Sequence, residues 1–300
     1  TAMDESGELL RNIGAAQSRT FTRFACVDWS GAKGDAHPGI ALALCEAGQD
    51  APTLIEPPRR YWSRTGIAQW LLDQTDDLLI GFDFSFAPPL VERGSYLPGE
   101  NVPDSARAFW AYVDSICSDP DLGAASLLEI HHRRHFYLGK VDGPKAPYMH
   151  LRRCEVHYNA QGGGKPSTIY DAIGAAQVAK ASFAGMRLLN LVGQHLPIWP
   201  FDPLSRSGPQ IVEIYTQIAA RASGLRKGLS KIRDGNALDT ALATMGCAPH
   251  KPLSRYTDHA TDAILTAAWL RQNAENPSYW APPPLNPHIA QTEGWTFGVI

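Results

Sequence analysis

Phe24-Ala25-Cys26-Val27-Asp28-Trp29-Ser30-Gly31-Ala32-Lys33-Gly34 is the stretch on which the reading of this chain turns. Four apolar residues lead to a carboxylate and then to a Ser30-Gly31 turn, and a second apolar run follows at Gly39–Leu44. A short apolar run bounded by turn residues is the pattern of a buried strand. The spacing therefore predicts a strand over about Thr22–Asp28, a hairpin or short loop, and a second strand over about Gly39–Leu44. Asp28 then stands at the C-terminal end of the first strand, at a sheet edge where further carboxylates would close around a cation.

Working outward, a third short strand is expected near Thr53–Tyr61, confined to an edge or a bend by Pro57-Pro58. Ile67, Trp70 and Leu71 space an amphipathic helix over Thr65–Asp73. Asp77–Phe86 reads as a second buried strand, ending on Asp83 before Pro88-Pro89 stops it. From about residue 90 to 206 the pattern changes to helical stretches, Ser105–Cys117 and Tyr170–Val192, between loops rich in Gly, Pro and basic residues. Gln210–Thr216 resumes the strand pattern with Glu213 inside it, and helical regions follow over Arg221–Arg233 and Ala237–Met245. Thr257–Asn273 is a helix capped by Thr257 or Asp258, with Ala263, Ile264, Ala267 and Leu270 on its apolar face. The order predicts one α/β domain over residues 22–300, a mixed sheet flanked by helices, with a long α-rich insertion at about 90–206 before the last strand. Residues 1–21 are expected to be a lead-in segment, with Thr1-Ala2-Met3 a vector remnant.

Of the 300 residues, 44% are hydrophobic and 19% charged, the profile of an ordinary globular chain with a sizeable core. A formal charge of -3 excludes nucleic-acid binding through overall charge and leaves only a local basic patch for it. No apolar run reaches the roughly 20 residues of a membrane span, and no charged-then-apolar leader opens the chain. Cys26, Cys45, Cys117, Cys154 and Cys247 show no ligand spacing, so reduced, mostly buried thiols in a cytoplasmic protein are expected.

Asp28, Asp83, Glu213 and Asp262 stand where a sheet and a helix would bring them together. Two divalent cations about 4 Å apart need several oxygen ligands and clamp the attacking and leaving oxygens of a phosphodiester. His259 lies three residues before Asp262, on the same side of the helix, where it would ligate or move protons. Each acid also has a plainer reading. Asp28 precedes a turn whose backbone Asp commonly satisfies. Glu213 would face solvent by strand alternation, and Asp262 would pair with an arginine. Asp83 inside an apolar run is the hardest to explain away, since a mid-strand charge is costly without a partner.

The strand-borne Asp28 and Asp83 and the helical His259-Ala260-Thr261-Asp262-Ala263 resemble the RNase H-like fold in the style of RuvC-type resolvases. VDWSGAKG, IGFDFSF, GAAQVAKASFAGMRLL, VEIYTQIAARASGL, TDHATDAILTAAW and EGWTFGVI together resemble the DUF429 family of predicted RNase H-like nucleases, in order, from residue 22 to the end. The resemblance implies a Mg2+- or Mn2+-dependent nuclease site with Asp28, Asp83 and Asp262 as metal ligands and His259 beside them. Glu213 matches the family's glutamate strand. Thr216 departs from the family, which usually carries a proline at that place.

The insertion holds His131-His132-Arg133-Arg134-His135, Arg152-Arg153 and Lys165, interleaved with Tyr137, Tyr148 and Tyr158. With Lys33, these cations are the candidates for a phosphate backbone and the tyrosines for stacked bases; a solvated loop surface is the plainer alternative. Gly162-Gly163-Gly164-Lys165 lacks the rest of a P-loop. The histidine run is expected at the surface, because adjacent histidines on one segment rarely point together. Two other functions stay open at this point. One is an actin- or sugar-kinase-like phosphotransferase using the Asp28–Gly34 turn as a phosphate hairpin. The other is a nucleotide- or nucleic-acid-binding protein that does not cut.

Overall fold

The computed structural model, which describes residues 19–164, 167–174, 177–226 and 231–300, places the stretch around Asp28 at the centre of a five-stranded mixed sheet. Strand β1 (Arg23–Asp28) pairs antiparallel with β2 (Ala41–Glu46), and β3 (Thr53–Leu54) extends that side. On its other side β1 pairs parallel with β4 (Leu78–Phe82), which pairs parallel with β5 (Gln210–Glu213). The order is β3-β2-β1-β4-β5.

Strand alternation sorts the core into two halves. Ala25, Val27, Ile80, Phe82 and Ile211 face one side, and Phe24, Cys26, Leu79 and Val212 the other. The first face is covered by α1 (Arg64–Leu72), α2 (Ala106–Ile116) and α4 (Val178–Val192). Between α2 and α4 in the sequence comes α3 (Arg153–Ala160), whose Cys154 belongs to the other half of the core. The second face is covered by α6 (Gly235–Ala243) and α7 (Asp258–Asn273), with α5 (Thr216–Ala222) packed against α7. Short helices α8 (Pro277–Trp280) and α9 (Pro287–Thr292) close the chain. No helix among the described residues is long and apolar enough to cross a membrane.

Close approach fixes how the helices meet the sheet. A Cβ on Gly81 would lie 2.6 Å from Ile214 Cγ2 and 3.2 Å from Leu270 Cδ1, so only glycine lets α7 settle onto β4. A Cβ on Gly31 would lie 2.1 Å from the Ala181 nitrogen, so the turn after β1 abuts the first turns of α4.

Several boundaries differ from the sequence expectations. The third strand shrinks to Thr53–Leu54, as Pro57-Pro58 breaks its ladder. Helix α4 begins at Val178, because Tyr170 and Asp171 are held in extended pairing with Tyr137. Strand β5 stops at Glu213, and the helix expected over Arg221–Arg233 gives way to α5, which ends at Ala222, while α6 is the helix expected over Ala237–Met245; residues 227–230 lie outside the described residues, as do 1–18 of the lead-in. The segment 90–206 supplies one layer of the core through Phe109, Trp110, Val113, Phe183 and Met186.

Arg64, fully buried, ties the β1 turn to this layer. Its guanidinium donates to the Ser30 carbonyl at 2.9 Å, the Ala32 carbonyl at 2.5 Å and the Asp121 carbonyl at 3.1 Å. The Asp121 carboxylate in turn caps α1, accepting from the backbone N–H groups of Arg64 and Thr65, the Thr65 hydroxyl and His37 Nε2, each at 2.9 Å. Burial pushes the Asp121 carboxyl up, but these hydrogen bonds outweigh it and bring it down to about 2. Asp121→Ala is expected to cost about 2 kcal/mol in urea denaturation at neutral pH. Because the folded-state value is depressed, that contribution is complete above pH 4 and disappears as pH falls toward 2, so wild type and variant converge in acid.

Candidate functional site

The register pairs Val27 with Phe82, so the next residues along the two parallel strands, Asp28 and Asp83, emerge side by side at the C-terminal edge of the sheet. The Asp83 N–H donates to the Val27 carbonyl at 3.1 Å, which fixes this juxtaposition through the backbone. Helix α7, lying across β1 and β2, contributes Asp262 and, one turn earlier, His259. His259 Nδ1 lies 3.2 Å from Asp28 Oδ2. Asp28, Asp83, Asp262 and His259 all line one cleft of about 590 Å³. The opposite wall is the first turn of α4, with Gln177, Val178, Ala181 and Ser182. Tyr158, Tyr215 and Thr216 stand further along it.

Three carboxylates in one cleft disfavour their own ionisation. Burial raises Asp28, although His259 opposes the shift by hydrogen bond and charge. Burial and then the charges of Asp28 and Asp262 push Asp83 well above the usual range. Asp262 is pushed up to about 7, first by burial and then by Asp28. The hydrogen bond that His259 makes to the Asp28 carboxylate raises the imidazole, and the charges of Asp28 and Asp262 push it the same way. Thr216, which begins α5, donates its hydroxyl to Asp83 Oδ2 at 3.2 Å, a bond that a proline there could not make.

The donor set is one of hard oxygens, which suits Mg2+ or Mn2+, and a divalent cation would offset the burial of all three acids and the mutual charge that further raises Asp83 and Asp262. The carboxylates share the cleft without closing on one another to within 4.8 Å as a trio. Among the described residues only Glu100, His132 and His135 do so. The cluster therefore matches ligands spread over two ions, or brought together by a bound one, better than a preformed single-ion cage.

The acids set the sign of a pH effect. Asp262 folds with its carboxyl raised, so in chelated buffer its penalty is absent below pH 4, grows as pH rises to about 7, and is constant above. Denaturation midpoints of wild type and Asp262→Asn in EDTA are expected to diverge across that window in favour of the variant. Parallel curves would remove the repulsion argument.

Among the other described candidates, Glu213 and Arg152 reach the lining of the cleft and the rest do not. Glu213, expected among the catalytic acids, touches the cleft but is committed to structure. Its carboxylate accepts from Arg152 Nη2 at 2.5 Å and Nη1 at 2.8 Å, from the Phe86 N–H at 2.9 Å and from the Thr296 hydroxyl at 2.7 Å. Arg152, expected to meet phosphate, is 2% exposed and spent on Glu213 and Glu155. Lys33 pairs with Glu129, Arg133 with Asp142 and Arg134 with Glu100. None of these three lines the cleft, nor does the exposed Arg153. Lys165 lies outside the described residues. The histidine run is not a surface feature throughout: His132 is buried, and the His135 side chain is 8% exposed.

Two contributors escaped the sequence reading. Thr216 registered only as a missing proline, and the α4 wall lies some 150 residues from Asp28. Its signals were the family-like stretch Gly174–Leu189, which carried no site residue, and the small residues of Ala179–Gly185, which mark close packing; a Cβ on Gly185 would strike the Phe84 ring at 2.3 Å.

Comparison of the chain with family models, with curated proteins and with solved structures finds no match.

Proposed function

We propose that this chain is an RNase H-like, divalent-metal-dependent nuclease of the DUF429 kind, hydrolysing phosphodiester bonds in nucleic acid. The observation that carries the reading is the meeting of Asp28, Asp83 and Asp262 in one cleft, from two adjacent strand ends and one helix. The five-stranded mixed sheet flanked by helices supports the reading as far as it goes, since a mixed sheet flanked by helices is what the resemblance implies.

In this reading Asp28, Asp83 and Asp262 hold Mg2+ or Mn2+, which supplies activation of water and neutralisation of phosphate charge. Thr216 orients the Asp83 carboxylate. His259, with Nδ1 held by Asp28, presents Nε2 as the atom that takes or gives a proton. Substrate binding falls on the cleft itself, because Lys33, Arg133, Arg134 and Arg152 are engaged with acids. Tyr158 and Tyr215, 5.7 Å apart edge to face, line the cleft, but Arg221 over the Tyr158 ring and Gly163 against it leave Tyr215 as the ring for a base to meet.

The test is incubation with Mg2+ or Mn2+ and a panel of single- and double-stranded DNA and RNA, beside an ATP-hydrolysis assay. Metal-dependent cleavage that disappears in Asp28→Asn supports the proposal. ATP turnover without cleavage favours the phosphotransferase, and cleavage unchanged in Asp28→Asn rejects the site.

A further inference from the structure

We propose that Glu100, His132 and His135 form a second metal site, for a borderline transition-metal ion of the Zn2+ class, independent of the aspartate cleft. One ligand atom from each residue lies within 4.8 Å of the other two. Glu100 Oε1 is 3.1 Å from His135 Nε2 and 3.9 Å from His132 Nδ1. Tetrahedral Zn2+ with bonds of about 2.1 Å spaces its donors roughly 3.4 Å apart, so the His135 contact opens slightly and the His132 contact closes slightly around an ion.

The backbone explains why these histidines converge where adjacent ones would not. His132 follows the turn Leu127–His131, and His135 ends the 3-10 turn Arg133–His135. In a 3-10 turn, residues three apart eclipse, so His132 and His135 face the same way while His131 is exposed. Gly99, at φ +86, turns the chain so that Glu100 meets them.

The second, independent sign is at His132. The residue is 7% exposed, and its Nδ1 is buried with no hydrogen-bond partner, which native structures rarely tolerate. Its Nε2 lies 2.7 Å from Tyr112 Oη on α2. A histidine with its outer nitrogen tied to a second group and its inner nitrogen unpartnered beside a carboxylate has the arrangement by which metal-ligating imidazoles are held. Two imidazoles and one carboxylate select Zn2+, Co2+ or Ni2+ over Mg2+, which prefers oxygen alone. The opposing charge is Arg134, whose Nε lies 2.7 Å from Glu100 Oε1; its side chain is 62% exposed and free to swing away. No residue of this cluster lines the aspartate cleft.

The test is titration of the full chain, stripped with EDTA and desalted, with Co2+ followed by visible absorption, then displacement with Zn2+. One Zn2+-displaceable Co2+ per chain is expected, with tetrahedral d–d bands that persist in Asp28→Asn. His135→Ala weakens binding at least ~100-fold, and Tyr112→Phe about 10- to 100-fold through the outer bond alone. Arg134→Ala tightens it, as removal of a neighbouring positive charge requires. Circular dichroism confirms that each variant is folded. No displaceable Co2+ at micromolar concentration, or identical titrations for wild type and His135→Ala, overturns the proposal.

Discussion

Arg152→Met is expected to lower the unfolding free energy by about 3–5 kcal/mol, the largest loss of stability from any single change discussed for this chain. The replacement keeps much of the side chain's volume, so packing is not the cause. It leaves Glu213, itself 3% exposed, as a buried anion stripped of a two-pronged partner, and breaking one side of a buried pair carries that cost. The loss spreads further than one bond. Arg152 also donates to the Glu293 carbonyl at 3.1 Å and to Glu155 Oε1 at 3.0 Å. Glu213 holds the Phe86 N–H, in the segment that follows Asp83. The expected phenotype is therefore a lower guanidinium midpoint with an unchanged slope, followed by tryptophan fluorescence, and a site that loses order along with the fold. The double variant Arg152→Met, Glu213→Met should cost less than the two single changes added together, because no charge is stranded. Arg153→Ala, its exposed sequence neighbour, should stay within about 0.5 kcal/mol of wild type. A change below 1 kcal/mol in Arg152→Met would mean that water or a rearranged partner reaches Glu213.

That pair also shows where reading the sequence succeeds and where it stops. Asp28 and Asp83 were legible because each ends an apolar run, and an apolar run that stops on an acid fixes both the strand and the place of the charge. Asp262 and His259 were legible through helical spacing. Glu213 sits in the same kind of run, so pattern alone gave it the same standing. What separates it is Arg152, 61 residues earlier, delivered by a loop that no periodicity describes. The cations of the insertion misled for the same reason. Composition shows that Lys33, Arg133 and Arg134 are basic, but not that Glu129, Asp142 and Glu100 are waiting for them. Strand existence was local information and was read well. Strand length at Thr53–Leu54 and the start of α4 depended on tertiary pairing and were not.

Asp83→Asn should separate stability from activity in opposite directions. Cleavage, if the proposed chemistry holds, falls by at least ~10³-fold with Mg2+ or Mn2+, because a neutral amide neither balances a divalent cation nor places it. In EDTA the same variant should be more stable than wild type, read as a higher denaturation midpoint. A carboxyl whose folded-state value is raised costs stability at every pH above its ordinary one, and Asp83 is raised by burial and by Asp28 and Asp262 together. Asparagine removes that charge and keeps a group to meet the Thr216 hydroxyl. Asp28→Asn should gain less, since it also gives up the pairing with His259. Adding Mn2+ should raise the thermal midpoint of wild type and leave that of Asp83→Asn nearly unmoved, so the order of the two reverses as the cation is titrated. A structural set of acids, satisfied by the fold alone, would show the reverse: asparagine would destabilise in EDTA and Mn2+ would move neither protein. The crossing of the two melting curves is thus the physical signature of carboxylates held together against their own repulsion for the sake of a cation.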